Sequence, residues 1–168
     1  MAQNELVIQS KIDAEAFSEF AWFDMLRRRK LWRRPALFAA LFAAFAAIAF
    51  SRIGRTDGAA LLGGVLLAVG FGVPLVYFAH FAFSVRKRAR QLNANEIAYT
   101  LTLSPEGVAV RKEAQTAEYR WDAICRAYRL ERSVALYVDA GHAFLLTGKN
   151  TEAAWDAIAQ YLPEDKRT

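Results

Sequence analysis

Few side chains in this sequence are suited to covalent or metal chemistry. There is one cysteine, Cys125, and there are two histidines, His80 and His142. A single cysteine excludes an intramolecular disulfide and any multi-cysteine zinc site. Cys125 lies in the strand-like stretch Ile124-Cys125-Arg126 and is expected to be a buried, inert thiol. His142 follows a turn and is expected to be partly exposed. His80 lies inside an apolar run, where a polar residue is a functional candidate by default. It stands six residues before Arg86, about 9 Å along a helix. That position suits an interfacial or intra-hairpin hydrogen bond better than a proton relay. Gly63-Gly64 and Gly70-x-Gly72 also sit in an apolar run, so they read as packing glycines rather than a phosphate loop. There is no nucleophile elbow and no set of convergent acid, base and nucleophile. The expectation is a non-enzymatic protein with no catalytic residue, cofactor or metal.

The elements that carry these residues are set by apolar patterning and charge. The chain has 168 residues and a net charge of +5, with 55% hydrophobic and 23% charged residues. That composition excludes a disordered tail. Ten of the 22 basic residues form two clusters: Arg27, Arg28, Arg29, Lys30, Arg33 and Arg34, then Arg86, Lys87, Arg88 and Arg90. Without those ten the chain carries −5. Each cluster borders a long apolar run, which is the pattern of membrane-flanking charge and not of a nucleic-acid surface.

Pro35–Ser51 contains no charge in 17 residues, or about 26 Å as a helix. Leu31 and Trp32 extend its apolar reach, and the flanking arginines can snorkel. Gly58–Val85 is a second uncharged run of 28 residues, with Pro74 expected to kink it. The two runs predict a transmembrane hairpin over residues 35–85. Gly64, Ala68 and Gly72 are the stripe expected to pack the helices, within one chain or between chains. A signal peptide fits poorly, because the first run begins late and a second follows at once. More basic residues flank the outer ends of the hairpin than its turn. The positive-inside rule therefore predicts a multi-pass protein of the plasma (inner) membrane with both termini cytoplasmic.

Residues 1–34 read as an N-terminal segment with a short strand, Glu5–Ile12, and an aromatic helix, Ala14–Lys30. Asp13 is its expected N-cap. The helix suits either the membrane interface or packing on a folded domain. Residues 96–168 read as a cytoplasmic β domain of six short antiparallel strands and a closing helix. Its expected core includes Trp121, Ile124, Trp155 and Ile158. The fold class is therefore an α+β membrane protein, with a two-helix transmembrane hairpin and a small antiparallel β-barrel or sheet of pleckstrin-homology-like plan. The Leu6–Ile12 strand could join that sheet across the hairpin.

The arrangement resembles the YcxB-like family of bacterial membrane proteins. The likeness rests on the short first strand, the hairpin Pro35–Val85, and Tyr99-Thr100-Leu101 leading to Pro105-Glu106-Gly107-Val108. It also rests on Tyr119-Arg120-Trp121-Asp122-Ala123-Ile124. Thr147-Gly148-Lys149-Asn150 stands where the family has a proline-lysine or similar basic turn. The resemblance implies fold and location but no activity. The expected partners are the lipid bilayer and a protein or peptide, or a second copy of the chain, with no nucleic acid. The alternative is an anionic-lipid-associated sensor or an accessory subunit of a membrane complex.

Overall fold

The computed structural model describes residues 5–94, 97–113, 115–148 and 151–168. The chain forms two compact units. One comprises residues up to Phe20 together with Arg88–Thr168, and the other is Ala21–Lys87.

The first unit is α+β. Strand β1 (Leu6–Ile12) is followed by helix α1 (Ala14–Phe23), whose first turn is capped by Asp13 Oδ1 accepting from the Ala16 N–H at 2.7 Å. Strands β2 (Ile97–Ser104), β3 (Gly107–Lys112) and β4 (Gln115–Arg120) continue the unit beyond the hairpin. They form an antiparallel sheet in the order β1-β2-β3-β4. Leu6 lies opposite Leu103 and Ile12 opposite Ile97, so the N-terminal strand does join the later sheet. Strands β5 (Arg126–Arg129), β6 (Ser133–Tyr137) and β7 (Ala143–Thr147) form a second antiparallel sheet. Of the expected barrel or sheet, the described residues form two antiparallel sheets without a closed ladder.

The reason lies at the seam between β1 and β7. Side chains there take the place of strand-to-strand hydrogen bonds. The Ser10 hydroxyl donates to the Leu145 carbonyl at 2.6 Å and accepts from the Thr147 N–H at 3.1 Å. The Tyr99 hydroxyl donates to the same carbonyl at 2.6 Å and accepts from the Leu145 N–H at 2.8 Å. Thr147 Oγ1 donates to the Lys11 carbonyl at 2.7 Å. Buried backbone groups that would otherwise lack partners are thus satisfied.

Alternation on β2 points Tyr99, Leu101 and Leu103 into the core, with Val108 and Val110 of β3 beside them. Helix α4 (Thr151–Tyr161) adds Ala154 and Ile158 to that core, and Leu162 follows at its end. All five residues of β6 are buried, because its sheet is covered on both faces. Leu136 and Val134 face the main core, while Ala135 and Tyr137 meet Phe20 of α1. The Phe20 and Tyr137 rings lie 6.0 Å apart. Glu19 accepts from the Glu131 and Arg132 N–H groups, and Glu15 pairs with Arg132. Of the two readings of this helix, the structure shows packing on the β unit.

The second unit holds helix α2 (Arg33–Phe50) and the first four-fifths of helix α3 (Ala59–Ala94). Both are long and apolar enough to cross a membrane. The single helix expected over Ala14–Lys30 ends early. Asp24–Arg28 forms a π-helical turn, with the Arg29 N–H donating to the Asp24 carbonyl at 2.8 Å. Lys30 then adopts a left-handed backbone, φ 50°, which breaks the helix before α2. The Asp24 carboxylate accepts from Arg28 at 2.9 Å and meets Arg29 at 2.7 Å, holding the turn.

Burial pushes the Tyr99 hydroxyl up to about 12 from its ordinary 10.0. The unfolded chain releases this proton first, so stability is full below about pH 10 and falls between about pH 10 and 12. Tyr99→Phe should cost about 1–3 kcal/mol at neutral pH, because the Leu145 N–H and carbonyl both lose a partner. It should also flatten the alkaline loss of stability. Denaturant unfolding of the two proteins between about pH 9 and 12 checks both outcomes.

Candidate functional site

Among the described residues, every strand edge of the β unit is occupied except one. The outer edge of β1 faces β7 through the Ser10, Tyr99 and Thr147 bonds. The outer edge of β5 receives the C-terminus: Ala127 bridges Arg167, the Arg129 N–H donates to Thr168, and the Thr168 N–H donates to the Ala127 carbonyl. Lys166 Nζ adds bonds to the Asp122 and Ile124 carbonyls. Among the described residues β4 is left as the open edge.

The register of β4 defines what that edge offers. Lys112 pairs with Gln115 around a tight turn, in which Glu113 has φ 53°. Hydrogen-bonded and non-bonded pairs alternate from that closing pair. Gln115, Ala117 and Tyr119 therefore bond to β3, while Thr116, Glu118 and Arg120 turn their N–H and carbonyl groups outward. Five of the six β4 residues are exposed, and Tyr119 is half-buried. Gly107 permits close approach at the far end, since a Cβ there would lie 2.2 Å from the Tyr119 carbonyl oxygen.

Beside this edge lies an open cleft of about 580 Å³ lined by Tyr119, Phe20, Val138, Phe144 and the Asp139–Ala143 turn. The Tyr119 and Phe144 rings lie 5.6 Å apart along it, tilted by 53°. The turn is held by Asp139. One carboxylate oxygen accepts from the Gly141 and His142 N–H groups at 2.6 and 2.7 Å, and the other meets His142 Nδ1 at 2.6 Å. The Gly141 N–H bond, the His142 side chain and the His142 N–H lower the Asp139 carboxyl below its ordinary value.

The core residues expected from sequence divide into two kinds. Ile124 and Ile158 are fully buried. Trp121 and Trp155 are half-buried at the margin of the same core. Trp121 lies in a 3-10 turn, Trp121–Ala123, after β4 rather than in it. It stacks on Tyr161 at 5.5 Å and donates its indole N–H to the Ser104 carbonyl at 2.9 Å. Cys125 is exposed, contrary to expectation. Its neighbours Ile124 and Ala127 take the inward positions, and its thiol is 3.4 Å from the Val138 carbonyl. Among the described residues no group of three metal-ligating side chains converges.

Of the ten basic side chains in the two clusters, nine (Arg27, Arg29, Lys30, Arg33, Arg34, Arg86, Lys87, Arg88, Arg90) are exposed, and Arg28 is half-buried. Helix α3 runs on through the second cluster without a break. His80 is exposed on α3. The glycines that meet α2 are Gly63 and Gly70. A Cβ at Gly63 would lie 2.6 Å from the Phe50 ring, and one at Gly70 would lie 2.6 Å from Phe42 Cβ. Gly64 and Gly72 have nothing within 4 Å, and Ala68 is exposed. Within the chain, the expected Gly64-Ala68-Gly72 stripe is therefore not the packing face. The face is turned by one to two residues, where Gly63 and Gly70 meet Phe50 and Phe42 of α2.

Comparison with protein-family models, with curated proteins and with solved structures finds no match to this chain.

The hairpin contact yields a direct contrast. Gly70→Ala should destabilise the helix pair by about 1–3 kcal/mol through overpacking against Phe42. Gly64→Ala should leave it within about 0.5 kcal/mol. Thermal unfolding of the full chain in mild detergent, followed by helical circular dichroism, separates the two.

Proposed function

We propose that the protein is a membrane-anchored, non-enzymatic interaction module whose β unit binds an extended protein or peptide segment. The open edge of β4 carries this reading. An added strand would pair with the outward N–H and carbonyl groups of Thr116, Glu118 and Arg120. Its alternate side chains would enter the cleft beside Tyr119 and Phe144. Backbone pairing supplies affinity in such β-augmentation, and pockets for alternate side chains supply specificity.

The anchor is the hairpin of α2 and α3, inserted in the plasma (inner) membrane with both termini in the cytoplasm. The basic clusters at its outer ends support that orientation. The pairing of β1 with β2 supports it independently, because the chain must leave and re-enter the β unit on one side of the bilayer. The β unit is read as pleckstrin-homology-like and the chain as YcxB-like, supported by the antiparallel sheets and closing helix α4. A second reading, association with anionic lipid as a sensor or accessory subunit, is favoured by the exposed basic residues at the hairpin's ends.

Glu118→Pro tests the first reading. It removes an outward N–H without removing a bond to β3, a position where an edge strand tolerates proline. Tagged full-length protein isolated from gently solubilised membranes should carry a stoichiometric protein partner. The Glu118→Pro variant should lose it while keeping its circular dichroism, and Gln9→Ala should keep it. Equal recovery of the partner with Glu118→Pro would refute binding at β4.

A further inference from the structure

The hairpin unit contains a second feature that the β unit does not explain. A groove of about 320 Å³ lies between the first turns of α2 and the middle of α3. Its lining is Leu31, Arg34, Pro35, Phe38, Val73 and Tyr77. Four of the six are apolar, and the other two carry a guanidinium and a phenol, groups that donate hydrogen bonds to phosphate. The volume is at the lower end of the range for ligand pockets, enough for part of one acyl chain.

The charge around the groove is unbalanced. Residues 21–87 hold ten basic residues and two carboxylates, Asp24 and Asp57. Asp24 is engaged by Arg28 and Arg29. Asp57 is in the turn at the opposite end of the hairpin. Helices α2 and α3 contain no acidic residue at all. The counter-charge for Arg34 therefore has to come from outside the hairpin. Arg34 is exposed at the border between the basic cluster and the uncharged run, where lipid phosphates lie.

We propose that this groove is a binding site for an anionic phospholipid, with one acyl chain along Pro35, Phe38 and Val73 and the phosphate held by Arg34 and Tyr77. The site rests on insertion of the hairpin in a bilayer. It is separate from partner binding at β4.

The full-length chain would be reconstituted in nanodiscs of equal phosphatidylglycerol and phosphatidylcholine, released in mild detergent, and its retained lipid identified by native mass spectrometry. Wild type should keep one phosphatidylglycerol in preference to phosphatidylcholine. Arg34→Gln should lower that retention about tenfold, the scale of one charge-assisted hydrogen bond. Val73→Trp fills the groove without changing charge and should lower it as well. Arg55→Gln, in the turn, should not. Excess inorganic phosphate should fail to displace the lipid; displacement would show a headgroup site without the groove and overturn the proposal. Equal retention by Arg34→Gln, or equal retention of both lipids by wild type, would also overturn it. Carbonate extraction of membranes distinguishes the two levels. Release of the chain would refute insertion, and retention of the chain without lipid preference would refute the groove alone.

Discussion

The β unit depends on how the buried backbone of β7 finds partners. Its Leu145 and Thr147 groups face β1, yet the two strands do not form a ladder. The hydroxyls of Ser10 and Tyr99 satisfy them instead. A hydroxyl both donates and accepts, so one side chain can serve a carbonyl and an N–H at once. With valine at position 10 the seam would lose that capacity, and the deficit would lie in the core, where an unpaired group is most costly. The shared core packs behind this seam, α1 covers β6, and among the described residues β4 is left as the open edge.

That open edge is distinctive because the others are managed so thoroughly. The C-terminus is laid against β5, and hydroxyls fill the gap at β1. Exposed edges invite unwanted pairing, and proteins usually blunt them with charge, proline or cover. Strand β4 carries Glu118 and Arg120 but no proline, and its neighbouring cleft is aromatic. An edge so short and charged resists indiscriminate stacking.

Much of this was legible in the sequence because periodicity is a local property. The alternation of Tyr99, Leu101 and Leu103, the Asp13 cap and the two uncharged runs all read out directly. What was not legible depends on a small phase difference or on distant partners. Gly63 and Gly70 lie one or two residues from Gly64 and Gly72, and both sets have near-helical spacing; only the position of Phe42 and Phe50 decides between them. From sequence, Cys125 is expected to be buried because it lies in a strand-like stretch, but after the 3-10 turn Trp121–Ala123 it is Ile124 and Ala127 that face inward. The end of α1 depends on Asp24 engaging two arginines, a choice no pattern of apolar residues encodes. The β4 edge could be named only after the C-terminus was seen to occupy β5.

The pairing of Leu6 with Leu103 also sets an order of events. During synthesis β1 emerges long before its neighbour exists. At about 5–20 residues per second, the strand waits roughly 5–20 seconds while the hairpin is made. Contacts so distant in the chain close slowly and late. For a hairpin inserted in a bilayer, completion of the β unit then works as a proofreading step. A chain that crossed only once would leave β1 and β2 in different compartments, and the core they share could not form.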